Sequence, residues 1–291
     1  GLTLGLHTRI DETMHAVVAR ARIGNIYVNR NQIGAVVGVQ PFGGDGLSGT
    51  GPKAGGPHYL RALQQRLQPA GDGAIDINAS APMPLFDQQL RRAAEAFDQW
   101  SASADRRDIL VRAAAGARDD AAAIFRLAVS LYAEHLGDTV ELPGPTGESN
   151  TLRLKGRGVV LCLGGGSEAA NARQVAMALA AGNAIVAVQP LADKVAGALS
   201  TAGAPNHLVV SLPAGAVINE AAFLDPRVRA VAFDGGPASR RAIAGALARR
   251  TGPIAALLSS ADDPARFATE RTLTINTTAA GGDVRLLSLP E

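Results

Sequence analysis

The residues of this chain with the most chemical potential are glycines. Gln40 to Pro57 reads QPFGGDGLSGTGPKAGGP, and a backbone so rich in glycine can take positive φ and approach a ligand closely in ways other residues cannot. A loop of that length inside a compact domain is usually functional. A second cluster, Gly164, Gly165 and Gly166, follows an apolar run and precedes a helical pattern, which is the setting of a phosphate-binding turn. Its continuation, GGGSEAAN, lacks the GxGxxG spacing that brings a pyrophosphate to a helix N-terminus, so the cluster is weak evidence for a nucleotide. Cys162, the single cysteine, lies within VVLCL. A reactive thiolate needs partial exposure and an electropositive setting, so this pattern predicts a buried thiol that packs as a small hydrophobe. The histidines His7, His15, His58, His135 and His207 are scattered without metal-ligand spacing, and no metal site is expected.

The elements that must position these residues follow from periodicity. Asp11 to Arg22 carries a helical stripe of Met14, Val17, Val18 and Ala21, closed by Gly24, and a short strand, Ile26 to Val28, leads into the long loop. Residues 69 to 84, PAGDGAIDINASAPMP, lack periodicity and read as a linker. Phe86, Leu90, Ala93, Ala94, Phe97 and Trp100 then form a helical stripe, and further helices are predicted from Asp105 to Arg118 and from Asp120 to His135. Arg91, Arg92, Arg106, Arg107 and Arg112 fall on the polar faces of these helices, where solvation is the expected role. Leu142 to Asn150, LPGPTGESN, reads as a turn-rich bridge. Beyond it, Val159 to Leu163, Ala184 to Val188, Leu208 to Ser211, Val228 to Phe233 and Ile254 to Leu258 are short apolar runs. They alternate with helical patterns such as Glu168 to Ala181 and Pro237 to Arg249, the signature of βαβ units on a parallel sheet covered by helices. The fold class is therefore α/β, and the tail from Leu273 to Leu289 is expected to add a strand to a neighbouring sheet.

Composition narrows the function classes. At 291 residues the chain is long enough for one large domain or two smaller ones, and 47% hydrophobic against 19% charged residues excludes a disordered chain. No apolar run reaches the roughly 18 residues of a membrane span. Lysine plus arginine (28) exceed aspartate plus glutamate (26) by two, which gives no reason to expect contact with nucleic acid. One cysteine allows no internal disulfide, which fits a reducing compartment and a cytoplasmic location. The chain opens on Gly1 with folded-looking sequence and reads as a fragment.

GNIYVNRN (Gly24 to Asn31) followed by QPFGGDGLSGTGPKAGGP resembles the C-terminal end of an aldehyde dehydrogenase catalytic domain. HTRID (His7 to Asp11), the SGTGPKAGGP form of the loop, LPGPTGESN and the closing NTTAAGG together resemble the bifunctional proline utilization A proteins. After the linker, AAEAFDQWSASADRRDILVRAA (Ala93 to Ala114) is similar to the first helices of an aldehyde dehydrogenase. AMALAAGNAIVAVQP (Ala176 to Pro190) and VAFDGGPASRRAI (Val231 to Ile243) are similar to strands of the family's dinucleotide fold. The resemblance implies three parts: residues 1–67 as the end of a catalytic domain, 68–84 as linker, and 85–291 as a non-catalytic Rossmann-type domain with N-terminal helices and a tail, 273–291. It implies a parent that couples FAD-dependent proline oxidation to NAD-dependent oxidation of L-glutamate γ-semialdehyde, forms homo-oligomers, and is cytoplasmic or peripheral at the inner membrane.

By the same resemblance, the amides of Gly55 and Gly56 hold the substrate carboxylate, as adjacent backbone N–H groups suit an anion. A tight surface turn is the alternative for the same residues. Phe42 matches an aromatic that lines the aldehyde pocket, a reading that coexists with a plain core role. Ser48 and Lys53 match the loop and read as structural, Ser48 being kept in the substrate-binding set by its place there and the lysine being expected to be solvated. The family's nucleophilic cysteine and general-base glutamate lie upstream of Gly1, so the fragment alone is expected to be inactive. Gln189 replaces a lysine that contacts the adenosine ribose, and FTGS becomes FDGG at Phe233 to Gly236, with Asp234 close to where a dinucleotide phosphate would lie. No cofactor is therefore expected on residues 85–291, which would instead cover a substrate-channelling passage, with NTTAAGG packing back on the catalytic part. The competing class is a complete, non-catalytic assembly or regulatory module derived from an aldehyde dehydrogenase.

Overall fold

The computed structural model describes residues 1–64, 71–75, 77, 86–137, 139–213 and 218–278. The chain forms two compact units, and neither is continuous in sequence. One gathers residues 1–64, 138–154 and the stretch beginning at Thr269; the other gathers 65–137 and 155–268.

The first unit opens with β1 (Thr3–Leu6), α1 (Asp11–Arg20) and β2 (Asn25–Val28), a βαβ unit whose two strands pair in parallel. Asp11 and Glu12 in the first turn of α1 and Arg20 in its last turn complement the helix dipole. After the glycine loop comes a one-turn helix, α2 (Tyr59–Ala62). The unit resumes with the antiparallel pair β3 (Val140–Leu142) and β4 (Glu148–Gly156), and β10 (Ala268–Asn276) completes it. The strand order is β1-β2-β10-β4-β3, and β10 lies parallel to β2 with Thr272 opposite Asn25 and Thr274 opposite Tyr27. The segment expected as a turn-rich bridge, Leu142 to Asn150, is thus in part a strand pair: the PGPTG turn is flanked by β-forming residues that pair across it. The late strand expected of the tail begins earlier than Leu273, and the NTTAAGG segment beyond Thr278 lies outside the described residues.

The second unit is a doubly wound parallel sheet preceded by three helices, α3 (Phe86–Ala102), α4 (Arg106–Gly116) and α5 (Asp119–Leu131). On α3 the stripe of Phe86, Leu90, Ala93, Ala96 and Trp100 is buried, each large side chain contributing about 1.5–3 kcal/mol. The chain then alternates β5 (Val159–Cys162), α6 (Glu168–Ala180), β6 (Ala184–Val188), α7 (Leu191–Thr201), β7 (Val209–Leu212), α8 (Glu220–Leu224), β8 (Val228–Ala232), α9 (Pro237–Ala248) and β9 (Ala256–Leu258). Sheet order is β7-β6-β5-β8-β9 with every described pair parallel, so the winding reverses between β5 and β8. In such sheets ligands enter at the carboxyl ends of the strands flanking that reversal.

Candidate functional site

The glycine loop of the first unit is folded on itself. Phe42 and Ala54 form an antiparallel bridge, Phe42 N donating to Ala54 O at 3.0 Å and Ala54 N to Phe42 O at 2.9 Å. Next to the bridge, Gly56 N donates to Lys53 O at 3.2 Å, closing a four-residue turn with Gly55 in its third position at φ +71°. That conformation excludes most side chains, and a Cβ on Gly55 would stand 3.3 Å from the Val37 backbone. Gly55 O accepts from Gly38 N at 3.2 Å, while Gly55 N has no acceptor among the described residues. Gly55 and Gly56 are both partly exposed, Phe42 is 36% exposed at the bridge, and Ser48 is exposed at the end of a 3-10 turn. The structure therefore brings Phe42, Gly55 and Gly56 together at the bridge and turn, and Ser48 is an exposed turn residue packed against Gly44.

Lys53 corrects the expectation of a solvated lysine: it is 1% exposed. Its ammonium donates to Asn25 Oδ1 at 2.6 Å and Gly43 O at 2.5 Å, and its backbone N–H donates to the Glu270 carboxylate. Burial pushes the Lys53 amine down to about 8, against the opposing pull of Glu270 and Asp45. Between about pH 8 and the ordinary lysine value the unfolded chain holds more protons than the native one, so stability rises with pH across that window. The wild type is expected to gain about 2 kcal/mol over a Lys53→Met variant between about pH 7 and about pH 9.5, measured as the difference in urea-unfolding free energies. A constant difference would place the amine in water.

In the second unit the two glycine turns at the carboxyl ends of β5 and β8 face one another. Asp234 N donates to Gly164 O at 2.8 Å. Residues 71–75 cross this point as an extended segment: Gly71 N donates to Asp234 O at 3.1 Å, Gly73 N to Gly165 O at 3.2 Å, and Gly236 N to Gly73 O at 3.1 Å. The approach is close enough that a Cβ on Gly71 would stand 2.6 Å from Asp234 O. The Asp234 carboxylate is turned into the protein, 3% exposed, accepting from Gln174 Nε2 at 2.6 Å and Ser260 N at 3.0 Å. Gln174 in turn bonds both N and O of Gly164. The crevice where a doubly wound sheet takes a dinucleotide is thus filled by the chain's own backbone.

Comparison with known proteins gives these features a family. The model of the aldehyde dehydrogenase family matches residues 1–68 and 111–264, more than half of the chain. The chain belongs to the aldehyde dehydrogenase family. Within it, the chain is similar to the bifunctional protein PutA of Escherichia coli (strain K12), 36% identical over 309 residues that cover 99% of this chain and 21% of that protein. The chain spans about one fifth of the length of that relative. It is also similar to the 1-pyrroline-5-carboxylate dehydrogenase of Bacillus licheniformis, 47% identical over 65 residues, which cover 22% of this chain and 13% of that one. Among solved structures, a mutant of Bradyrhizobium japonicum proline utilization A superposes with a TM-score of 0.52 at 27% identity, over 62% of this chain and 22% of that one.

For an aldehyde dehydrogenase the cysteine is the first residue to ask about, and Cys162 is 3% exposed on the central strand β5. Burial, with the Asp234 charge nearby, pushes its thiol far above the ordinary range, the reverse of what a nucleophile needs. Cys162 is expected to react with a thiol reagent only as fast as the protein unfolds, and Cys162→Ala to cost about 1 kcal/mol, read from labelling kinetics and urea midpoints. Fast labelling of the native protein would overturn this. Among the described residues no cluster of three His, Cys, Asp or Glu side chains could hold a metal. Periodicity missed Glu148, Asn150, Glu270 and Thr272 as partners of the loop, because each stands on a strand remote from it in sequence.

Proposed function

We propose that this chain is the closing part of a bifunctional proline-catabolic enzyme whose dehydrogenase half oxidises L-glutamate γ-semialdehyde, in equilibrium with pyrroline-5-carboxylate, to glutamate with NAD. The observation that carries the reading is the Lys53 to Gly56 turn, whose Gly55 amide has no acceptor among the described residues, in a chain that matches a bifunctional PutA over 99% of its length. Gly55 presents its amide to the substrate carboxylate, with Gly56 beside it held by its own N–H on Lys53 O, and Phe42 lines the aldehyde pocket, with Ser48 in the same loop. Such an anchor fixes the far end of the substrate, so that the aldehyde meets a nucleophile from the upstream part in one orientation.

NAD and FAD bind in the upstream domains, in this reading, and the second unit binds neither. Its crevice does not fit a dinucleotide, because residues 71–75 fill it and the turn lacks the phosphate-binding spacing. That unit serves instead as a structural cover over the passage between the two active sites of a cytoplasmic, homo-oligomeric parent. Ile33, Val37, Leu47, Leu60 and Leu63 are exposed on the first unit and are the apolar surface that upstream sequence would cover.

The test is to assay NADH formation from L-glutamate γ-semialdehyde with the full-length polypeptide and with the 291-residue chain, and to titrate the chain with NAD. Turnover by the full-length protein alone, with no saturable NAD binding by the chain, is the expected result. Turnover or saturable binding by the chain itself would overturn the division of labour.

A further inference from the structure

Both ends of the glycine loop are held by polar side chains from strands that arrive more than a hundred residues later. At the near end Gln40, 3% exposed, accepts from Val36 N at 3.0 Å and donates to Glu148 Oε1 at 2.5 Å, with Glu148 also paired to Arg30. Asn150 joins this group and accepts from Thr274 Oγ1 at 2.8 Å. At the far end Glu270 takes the backbone N–H of Lys53, while Thr272 Oγ1 donates at 2.7 Å to the same Asn25 oxygen that receives the Lys53 ammonium. Glu270, Thr272 and Thr274 alternate along β10, and all three are buried. Leu273 and Ile275, on the other face, are half-exposed. This strand buries its polar face, and that face serves the loop.

We infer that Glu270 is a positioning residue for the substrate-carboxylate anchor: its carboxylate fixes Lys53, the first residue of the turn that presents the Gly55 amide. A buried carboxylate accepting from a backbone N–H is a strong, directional hold. Its loss frees the turn without removing any group that meets the substrate. Lys53, pinned at its ammonium by Asn25 and Gly43, transmits that hold to Gly56 through the turn hydrogen bond. The inference rests on the anchor reading proposed above.

The experiment compares wild type, Glu270→Ala and Glu270→Gln in the full-length enzyme, with L-glutamate γ-semialdehyde and with butanal, which has no carboxylate. Glu270→Ala is expected to raise KM for the semialdehyde roughly 10-fold, with kcat within about 3-fold and kcat/KM for butanal within about 2-fold of wild type. Glu270→Gln keeps an oxygen that accepts from Lys53 N–H and is expected to restore KM to within about 3-fold of wild type. It also keeps the inference testable if the alanine variant does not fold. Equal losses on both aldehydes, or no change in either variant, would overturn the inference while leaving the anchor in place. A wild type that takes butanal as well as the semialdehyde would instead remove the anchor reading itself.

Discussion

On the anchor reading proposed above, Gly55→Ala in the full-length polypeptide is expected to lower kcat/KM for L-glutamate γ-semialdehyde by roughly 10-fold, because a shift of a few tenths of an ångström in a substrate-positioning group costs part of the roughly 100-fold that a shift of about 1 Å does. Two effects force the shift. Gly55 sits at φ +71°, where an L-residue is strained by about 1–2 kcal/mol. Its new Cβ would also press on Val37, at 3.1 Å from Cγ1 and 3.3 Å from Cα, a contact that the turn and Val37 relieve only by parting by a few tenths of an ångström. Gly46 supplies the control. It has the same φ of +71°, but a Cβ there meets nothing within 4 Å. Gly46→Ala should therefore show the strain alone, about 1–2 kcal/mol of stability with kcat/KM within about 3-fold of wild type. Steady-state kinetics of the two variants side by side decide the matter. Equal losses in both would mean that loop strain, and not the placement of the Gly55 amide, governs activity.

Why part of this structure could be read from sequence and part could not is visible in its strands. The parallel sheet of the second unit was legible because β5 and β6 are continuous apolar runs and β8 is apolar but for Arg229, with helical periods between them. β10 was not legible as a strand from Ala268, because its buried positions are Glu270, Thr272 and Thr274. A pattern reader assigns those residues to water. Likewise Lys53 looked solvated because lysine is almost never fully buried without partners, and its partners Asn25 and Gly43 O are set by the fold. The glycine loop itself was conspicuous from composition and family resemblance. What composition could not supply was the division of the chain: residues 138–154 and those from Thr269 join the first unit, so compact units and chain order disagree.

Gly165→Val tests what the second glycine cluster is for, and it is expected to destabilise the second unit by about 3–5 kcal/mol, lowering its Tm by about 10 °C in calorimetry. Gly165 sits at φ +84°, which a β-branched residue resists. A Cβ there would also overlap the Phe233 ring and stand 2.6 Å from Gly235 N and 2.9 Å from Gly235 Cα. Phe233 is 1% exposed and Gly235 is backbone, so neither can step aside cheaply. Gly197 gives the opposite expectation. It lies inside α7 with nothing within 4 Å of its Cβ position, so Gly197→Ala should stabilise by about 0.5–1 kcal/mol. If Gly165→Val instead stayed within about 1 kcal/mol of wild type, the close packing of the β5 and β8 turns would be incidental. The glycines would then be free for another use, such as letting a phosphate approach. The expected loss assigns them to packing: these small residues let two strand ends and the crossing segment at Gly71 and Gly73 share one space.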